Sequence, residues 1–387
     1  MKITKIEIYP VTISKTRNLP GAEHGKIAGS ALGTWEYCRF VVAKVFTDTG
    51  VVGYGEAPPW LAVSREAQSS IVKILQDYLA PAVMGMDPFN IVAVNMKMER
   101  CCPANPMARC VIDMAMYDIV AKTLNQPLYN IIGGKIRDRI PLCGLVHYGE
   151  IPDMITQTHW WKGMGYGTIR LKMGRGIKQD EQVMAAMRKE FGDDLKIRVD
   201  INQAYSVNQA KKFLDVMEQY DVELVEQPVH YRDFDGMAEV SHHGHTPIMA
   251  HESLYDIYDA VDLIKKGAIG LLGLKLDRPG GISNALKGIA LGELFNIPCS
   301  MISSEELGVS TAASMHLAAT IKKLDFAGEA TGPLLIEDDI VKEKVRIEDG
   351  CALVPEGPGF GVEIDDEKLN YYCEGMVSCD ETCRPLL

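Results

Sequence analysis

The chain has 387 residues, of which 47% are hydrophobic and 24% charged, and its formal net charge is −12. This length and composition are typical of a globular protein with one large core or two domains. Because the net charge is negative and lysine and arginine form no dense block, we expect neither a nucleic-acid partner nor an anionic membrane partner.

Three further features bear on location. The N-terminus alternates like a β-strand and lacks the apolar segment of a signal peptide. No apolar run approaches the roughly 18 residues of a membrane span. The ten cysteines are scattered without the spacing of a disulfide framework. We therefore expect reduced thiols and a cytoplasmic location.

The first part of the chain predicts an α+β domain. Strand patterns occupy residues 2–13 and 38–57, with a turn at "TDTG", and helical patterns follow at 64–85 and 107–134. The segment "GFGVEIDDEKLNYY" near the C-terminus returns to this character. We assign residues 1–130 to this domain and expect about 356–387 to complete it.

Residues 131–355 show a repeating sequence pattern. Eight short apolar runs recur about every 25 residues, with helical segments between them. The runs are "IPLCGLVHY", "GTIRLKMG", "LKIRVDIN", "VELVEQPV", "PIMAHES", "LLGLKLD", "IPCSMISS" and "KLDFAGEA". Eight β/α units predict a parallel barrel closed on itself. A doubly wound sheet is the alternative, but no glycine-rich nucleotide loop follows the first run.

Ionisable side chains stand at the ends of five consecutive runs. In order these are Lys172, Asp200, Glu226, His251 with Glu252, and Lys275. Active sites of parallel barrels form at the carboxyl ends of the strands, so we expect these side chains to meet in one site.

The acidic members of this set predict a metal site. Carboxylates that converge in a barrel mouth repel one another unless a cation lies between them. Oxygen ligands favour a hard ion, which indicates Mg²⁺, with Mn²⁺ as the alternative.

Lys172 and Lys275 flank the acidic trio in chain order. A lysine serves as a base when desolvation and nearby cations lower its pKa, and Arg170 supplies a cation two residues before Lys172. A metal can bind a substrate carboxylate and stabilise the enediolate that forms when the α-proton leaves. Two lysines on opposite faces of the carbon would then allow inversion.

Seven motifs together resemble the enolase superfamily, in particular the muconate lactonizing subgroup of the mandelate racemase/muconate lactonizing enzyme family. They are "GVVGYGEA", "VIDMAMYDIVAK", "IRLKMG", "IRVDINQAY", "LVEQP", "LKLDRPGGI" and "EATGPLLIEDDIV". The resemblance implies an α/β fold, with an α+β capping domain over a modified (β/α) barrel, and a tendency to form homo-oligomers. It also implies Lys172 and Lys275 as acid/base catalysts, and cap loops near residues 15–34 and 57–65 that contact the substrate.

The metal site implied by the resemblance comprises Asp200, Glu226 and one residue of the fifth strand. The subgroup commonly has Asp-Glu at the end of that strand, whereas this chain has His251-Glu252. Because Mg²⁺ prefers oxygen, we favour Glu252 as the third ligand. His251 is the alternative, and it would shift the preference towards Mn²⁺ or a softer ion.

Other positions also depart from the subgroup or need a role. Arg170 stands where the subgroup usually has lysine, and we expect its electrostatic role to be kept. Related enzymes often place an acid on the seventh strand, where Glu306, or alternatively Glu305, is the candidate; a solvated loop acid without a role in the site is the other interpretation. Asn202 is expected to orient a ligand or water, and His316 is expected to be a core residue.

The leading functional prediction is a Mg²⁺-dependent racemase or epimerase that acts next to the carboxylate of an amino-acid-derived acid. A muconate-type cycloisomerase and a dehydratase of a hydroxy acid share the enediolate and remain alternatives. A non-catalytic barrel that only binds a small molecule would be expected to lose a lysine or a metal carboxylate. All of the clear ones are present.

Overall fold

The computed structural model describes residues 1–15, 20, 29–34 and 36–385. The chain opens with an antiparallel sheet. Its strands are β1 (Ile3–Ser14), β4 (Tyr37–Thr47) and β5 (Val52–Ala57), and a small hairpin of β2 (Gly29–Ser30) and β3 (Gly33–Thr34) precedes β4. The turn from β4 to β5 places Gly50 at a φ of 82°, a conformation that favours glycine.

A series of helices follows these strands in the first part of the chain. They are α1 (Leu61–Ser64), α2 (Gln68–Ile74), a π-helical turn (Leu75–Leu79), α3 (Ala80–Val83), α4 (Ile91–Cys101), α5 (Pro106–Thr123) and α6 (Leu128–Ile131). Helix α5 lies very close to β5. A Cβ atom on Gly55 would stand 1.8 Å from the carbonyl oxygen of Val111, so only glycine permits this approach.

The C-terminal residues include a strand that joins the first sheet. Strand β16 (Val377–Asp380) pairs antiparallel with β1, so the strand order is β16-β1-β4-β5. The proposed domain boundary between residues 130 and 131 falls inside α6 and stays a prediction.

The second part of the chain is a ring of parallel strands. They are β7 (Cys143–Val146), β8 (Thr168–Lys172), β9 (Lys196–Asp200), β10 (Val222–Glu226), β11 (Ile248–Met249), β12 (Leu272–Leu274) and β13 (Cys299–Met301). Strands β7 to β11 form one sheet in sequence order, and β12 pairs with β13. A bridge between Met249 and Leu271 joins the two groups.

The eighth run closes this ring without forming a regular strand, although every residue from 36 to 385 is described. Gly328 exchanges hydrogen bonds of 2.8 Å with Pro141 and Cys143, and the N–H of Glu329 donates to Met301. The ladder cannot extend past Pro141, because proline has no N–H to donate. The prediction of eight runs therefore holds, but the eighth contributes only bridges.

The connecting helices surround the ring. They are α7 (Ile151–Gly163), α8 (Ile177–Phe191), α9 (Val207–Met217) with a 3₁₀ turn (Glu218–Tyr220), α10 (Phe234–Ser241), α11 (Ile257–Lys265), α12 (Ile282–Phe295), α13 (Gly308–Thr320) and α14 (Gly332–Leu335). Strand β6 (Arg139–Pro141), which precedes β7, forms a small sheet with β14 (Ile347–Glu348) and β15 (Cys351–Leu353), and α15 (Asp366–Tyr372) precedes β16.

The predicted fold, a modified (β/α) barrel with an α+β cap, is confirmed. All ten cysteines are free thiols. No helix in the described part of the chain is long and apolar enough to cross a membrane. His316 is buried in α13, and its two ring nitrogens lie 3.3 Å from the backbone nitrogen of Tyr129 and 3.1 Å from the carbonyl oxygen of Phe360. It is therefore the core residue that the sequence predicts.

Candidate active site

The register of the parallel strands brings the predicted residues together. Lys172 at the end of β8 pairs with Asp200 at the end of β9, and Asp200 pairs with Glu226 at the end of β10. Strand β11 ends two residues before His251, next in the ring. All of these side chains are buried at the same end of the barrel.

Three of these residues form a cluster that could hold a metal ion. Asp200, Glu226 and His251 each place a ligand atom within 4.8 Å of the others. Burial and the neighbouring Asp200 raise the pKa of Glu226 to about 8. Burial would also raise the pKa of Asp200, but Lys172 and Arg170 outweigh it and lower that pKa. Asp200 and Glu226 therefore disfavour being ionised at the same time unless a cation lies between them. Such a pair of carboxylates suits a divalent ion.

Arg170 places a positive charge beside the acids. Its Nη1 lies 3.1 and 3.2 Å from the two carboxylate oxygens of Glu226 and 3.3 Å from Oε1 of Glu329. Glu329 is almost fully buried and also lies 3.9 Å from Arg198. Glu329 is not among the site residues predicted from the sequence, although it stands near the end of the eighth apolar run, where the strand-end rule applies.

Lys172 is held by two partners. Its Nζ donates to Oδ2 of Asp200 at 2.5 Å and to Oδ1 of Asn202 at 3.0 Å. The amide nitrogen of Asn202 in turn donates to Oε1 of Glu252 at 3.2 Å. Asn202 therefore connects the lysine to the fifth-strand acid, which is compatible with the predicted orienting role.

Glu252 and His251 occupy different positions in the site. Oε1 of Glu252 accepts from Asn202 and Gln203, while Oε2 lies 3.1 Å from Nδ1 of His251. The same Nδ1 is 3.3 Å from Glu226. On the other side of the ring, Nη2 of Arg278 lies 3.0 Å from Nε2 of His251. Arg278 is not among the site residues predicted from the sequence, because it becomes adjacent to His251 only in the fold.

Lys275 is the residue that follows β12, and its side chain reaches the site. Its Nζ donates to the carbonyl oxygen of Ser303 at 2.5 Å and to Oγ of Ser304 at 2.9 Å. Oγ of Ser304 donates to Asp277 at 3.1 Å. Burial, followed by the charge of Arg278, lowers the pKa of Lys275 to about 8. Lys275 is thus a buried lysine that is partly neutral near neutral pH.

The two candidate acids of the seventh strand lie apart. Oε2 of Glu306 accepts from Oγ of Ser303 at 2.9 Å and from the N–H of Ser304 at 2.6 Å, so Glu306 supports the loop that holds Lys275. Burial raises the pKa of Glu306 to about 7. Glu305 lines the cavity and pairs with Lys15 at 2.5 Å.

A cavity of about 270 Å³ opens between the cap and the barrel mouth. Its barrel wall includes Leu145, His147, Arg170, Lys172, His251, Lys275 and Arg278, and its cap wall includes Phe40, Pro58, Pro59, Trp60, Leu61 and Val63. The cap wall contains most of the predicted substrate loop 57–65. Most of the other predicted loop, 15–34, lies outside the described residues.

A capped parallel barrel with an acidic cluster between two buried lysines defines a class of enzyme. Its members bind a carboxylate substrate in the barrel mouth and remove a proton from the adjacent carbon.

Two family models match the chain. Residues 153–368 match the enolase C-terminal domain-like family. Residues 23–133 match the N-terminal domain of mandelate racemase and muconate lactonizing enzyme. The chain belongs to the enolase superfamily, in its muconate lactonizing branch, and is an isomerase of that superfamily.

Characterised relatives are similar over most of the length. The hydrophobic dipeptide epimerase of Enterococcus faecalis is 34% identical over 76% of this chain and 83% of its own. The chloromuconate cycloisomerase of Pseudomonas putida is 33% identical over 84% of this chain and 88% of its own.

Solved structures agree with this placement. The N-succinyl Arg/Lys racemase of Bacillus cereus superposes with a TM-score of 0.92 at 29% identity, covering 98% of this chain and 100% of that one. A dipeptide epimerase of Cytophaga hutchinsonii, in complex with Mg and D-Ala-L-Val, superposes with a TM-score of 0.91 at 27% identity over 98% and 100% of the two chains.

Proposed function

We propose that the protein is a Mg²⁺-dependent racemase or epimerase of an amino-acid-derived acid, acting through an enediolate. The observation that carries this proposal is the placement of two buried lysines on one cavity. Lys172 ends β8 and Lys275 follows β12, with three strands between them in the ring. A carbon between two such groups can lose a proton on one face and regain it on the other.

The surroundings of the two lysines suit proton transfer. A pKa of about 8 leaves an appreciable neutral fraction of Lys275 near neutral pH, so that it can accept the α-proton. The loop atoms at Ser303 and Ser304 fix its Nζ. The ammonium group of Lys172 is fixed by Asp200 and Asn202, from where it can donate a proton to the face that it lines.

The acidic cluster suits Mg²⁺, and Asp200 and Glu226 are two of the proposed ligands. A bound Mg²⁺ would balance the buried carboxylates and stabilise negative charge on the substrate carboxylate when the α-proton leaves. A Mg complex of a similar epimerase supports this assignment.

The hydrogen-bond pattern of His251 favours Glu252 as the third ligand. Arginine is always a donor, so Nε2 of His251 must accept from Arg278 at 3.0 Å. The ring proton then lies on Nδ1 and is donated towards Glu252 and Glu226. A protonated nitrogen cannot ligate a metal, which leaves the carboxylate of Glu252. His251 remains the alternative ligand, and with it Mn²⁺ or a softer ion.

The substrate class rests on the relatives and on the site. Similar enzymes are named as acting on dipeptides and N-succinyl amino acids, which supports an amino-acid-derived acid. Similar chloromuconate cycloisomerases support the alternative of lactone formation. Assembly as a homo-oligomer and a cytoplasmic location stay predictions.

Deuterium exchange tests the proposal. Purified enzyme with Mg²⁺ in D₂O is offered a panel of N-acyl amino acids, dipeptides and hydroxy acids as separate stereoisomers, and mass spectrometry follows the α-position. We expect exchange together with inversion for one compound class. Lys275→Ala should abolish inversion but keep exchange for one stereoisomer, and Lys172→Ala should keep it for the other.

The matched control is Lys211→Ala, since Lys211 is a surface lysine paired with Glu239. This variant should behave like the wild type. A cycloisomerase would give a cyclic product and lose exchange in only one of the two lysine variants. Wild-type inversion in Lys275→Ala, or the absence of exchange from the whole panel, would refute the proposal.

A further inference from the structure

His147 is a buried histidine whose ring has no hydrogen-bond partner in the described part of the chain. It follows β7, is 4% exposed, and both ring nitrogens are unpaired. Its backbone N–H donates to Gln157 at 3.0 Å. His316 shows the usual arrangement for a buried histidine, because it is 0% exposed and both ring nitrogens have partners. Unpaired buried polar groups cost free energy and call for an explanation.

His147 is one of the residues that line the substrate cavity. Strands β7 and β8 are parallel, with Leu145 opposite Arg170, and alternate residues of a strand face the same side. His147 and Lys172 each lie two residues beyond this pair, and all four side chains line the cavity. His147 is thus beside Lys172, on one face of the substrate position.

The surroundings keep this ring uncharged. Burial, followed by the charge of Lys15, lowers the pKa of His147 to about 3, and Lys172 and Arg170 act in the same direction. Glu305 opposes them. A neutral imidazole has one N–H donor and one acceptor nitrogen, so it complements a group that itself donates and accepts.

We propose that His147 is a substrate-binding residue that recognises a neutral donor–acceptor group, an amide or a hydroxyl, attached beside the reacting carbon on the Lys172 face. The proposal rests on the proposed function, because that function puts the substrate carbon between the lysines. The cap wall includes the apolar residues Trp60 and Phe40, whereas His147 offers a neutral polar side chain beside Lys172. His147 would select substrates whose α-substituent can both donate and accept a hydrogen bond.

Binding of matched probes tests the proposal. Calorimetry on the Mg²⁺-loaded enzyme compares N-acetylphenylalanine, 3-phenyllactate, the acetate ester of 3-phenyllactate and 3-phenylpropanoate. The first two carry an amide and a hydroxyl, the ester only accepts, and the last has neither group. We expect the preferred polar probe to bind at least tenfold more tightly than 3-phenylpropanoate, and its identity distinguishes amide from hydroxyl recognition.

The variants are chosen to separate binding from folding. His147→Phe keeps a ring without donors or acceptors and should reduce the polar preference to less than threefold. His147→Gln keeps a donor and an acceptor and should restore part of it. His316→Gln is the control, which should lower the melting temperature and leave the preference unchanged. In deuterium exchange, His147→Phe should raise KM much more than it lowers kcat.

The outcomes also separate this inference from the proposed function. A wild type that shows no polar preference, or that binds none of the probes, overturns the role of His147. A preference that survives in His147→Phe overturns it as well. A preference that is lost in His147→Phe, in an enzyme that never exchanges an α-proton, supports the role of His147 and refutes the proposed function.

Discussion

The pH dependence of proton removal by Lys275 is the sharpest test of the site. A pKa of about 8, against 10.5 for ordinary lysine, leaves about one Lys275 in ten neutral at pH 7, roughly 300 times the ordinary fraction. Because the base that we propose is the neutral amine, exchange of the stereoisomer facing Lys275 should rise with pH and level off above about pH 8. The other stereoisomer, which relies on Lys172, serves as the internal comparison.

Two neighbours allow this midpoint to be moved in opposite directions. Asp277 raises the pKa of Lys275 and Arg278 lowers it. A single charge at short range in a buried site changes a pKa by about one unit. Asp277→Asn should therefore lower the midpoint to about pH 7 and raise exchange at pH 7 about fivefold. Arg278→Gln should raise the midpoint to about pH 9 and reduce exchange at pH 7 about tenfold.

The assay is the initial rate of α-deuteration between pH 6 and 10 at saturating substrate. Arg278→Lys keeps the charge and controls for the loss of the Arg278 contacts to His251, so its midpoint should stay near that of the wild type. If Asp277→Asn and Arg278→Gln move the midpoint in the same direction, or leave it fixed, Lys275 is not the titrating base.

Further predictions concern the metal and the interface between cap and barrel. Asp200→Asn should abolish exchange and weaken Mg²⁺ binding at least tenfold by calorimetry without lowering the melting temperature, and full activity after exhaustive chelation would contradict it. Glu252→Gln should lose metal and activity while His251→Asn mainly alters the rate, and the reverse pattern would make His251 the ligand. Glu56 of the cap accepts two backbone N–H groups at the start of α13, so Glu56→Ala should destabilise the protein by about 2–3 kcal/mol in denaturant unfolding, which an unchanged midpoint would disprove.

Local patterns were enough to predict most of the fold. The alternation in β1 and the turn at Gly50 depend on neighbouring residues, and so does the continuous apolar character of buried parallel strands such as β8. Local patterns did not predict that the eighth run would lack a regular strand. The pairing of this run stops at Pro141, about 190 residues earlier in the chain. No residue within 323–330 indicates where that pairing ends.

The candidate site was predictable from the sequence only for residues at the ends of the barrel strands. Residues at strand ends share one face of a barrel, and this rule identified Lys172, Asp200, Glu226 and Lys275. It does not describe contacts made by the loops beyond the strands. Arg278 is 27 residues from His251 in sequence, and the two meet only because the turn after β12 folds over the end of β11.

The contact between Arg278 and His251 explains how a histidine can occupy a position that the subgroup commonly gives to an acid. An imidazole there removes one negative charge from a site that already holds Arg170, Lys172 and Lys275. A protonated ring would add another cation, and burial together with Arg278 lowers the pKa of His251 well below its usual value. The ring is therefore neutral, accepts from Arg278, and turns an N–H towards the carboxylates. In the site that we propose, the ligand role would pass from the strand-end position to Glu252, so that the metal would keep oxygen donors.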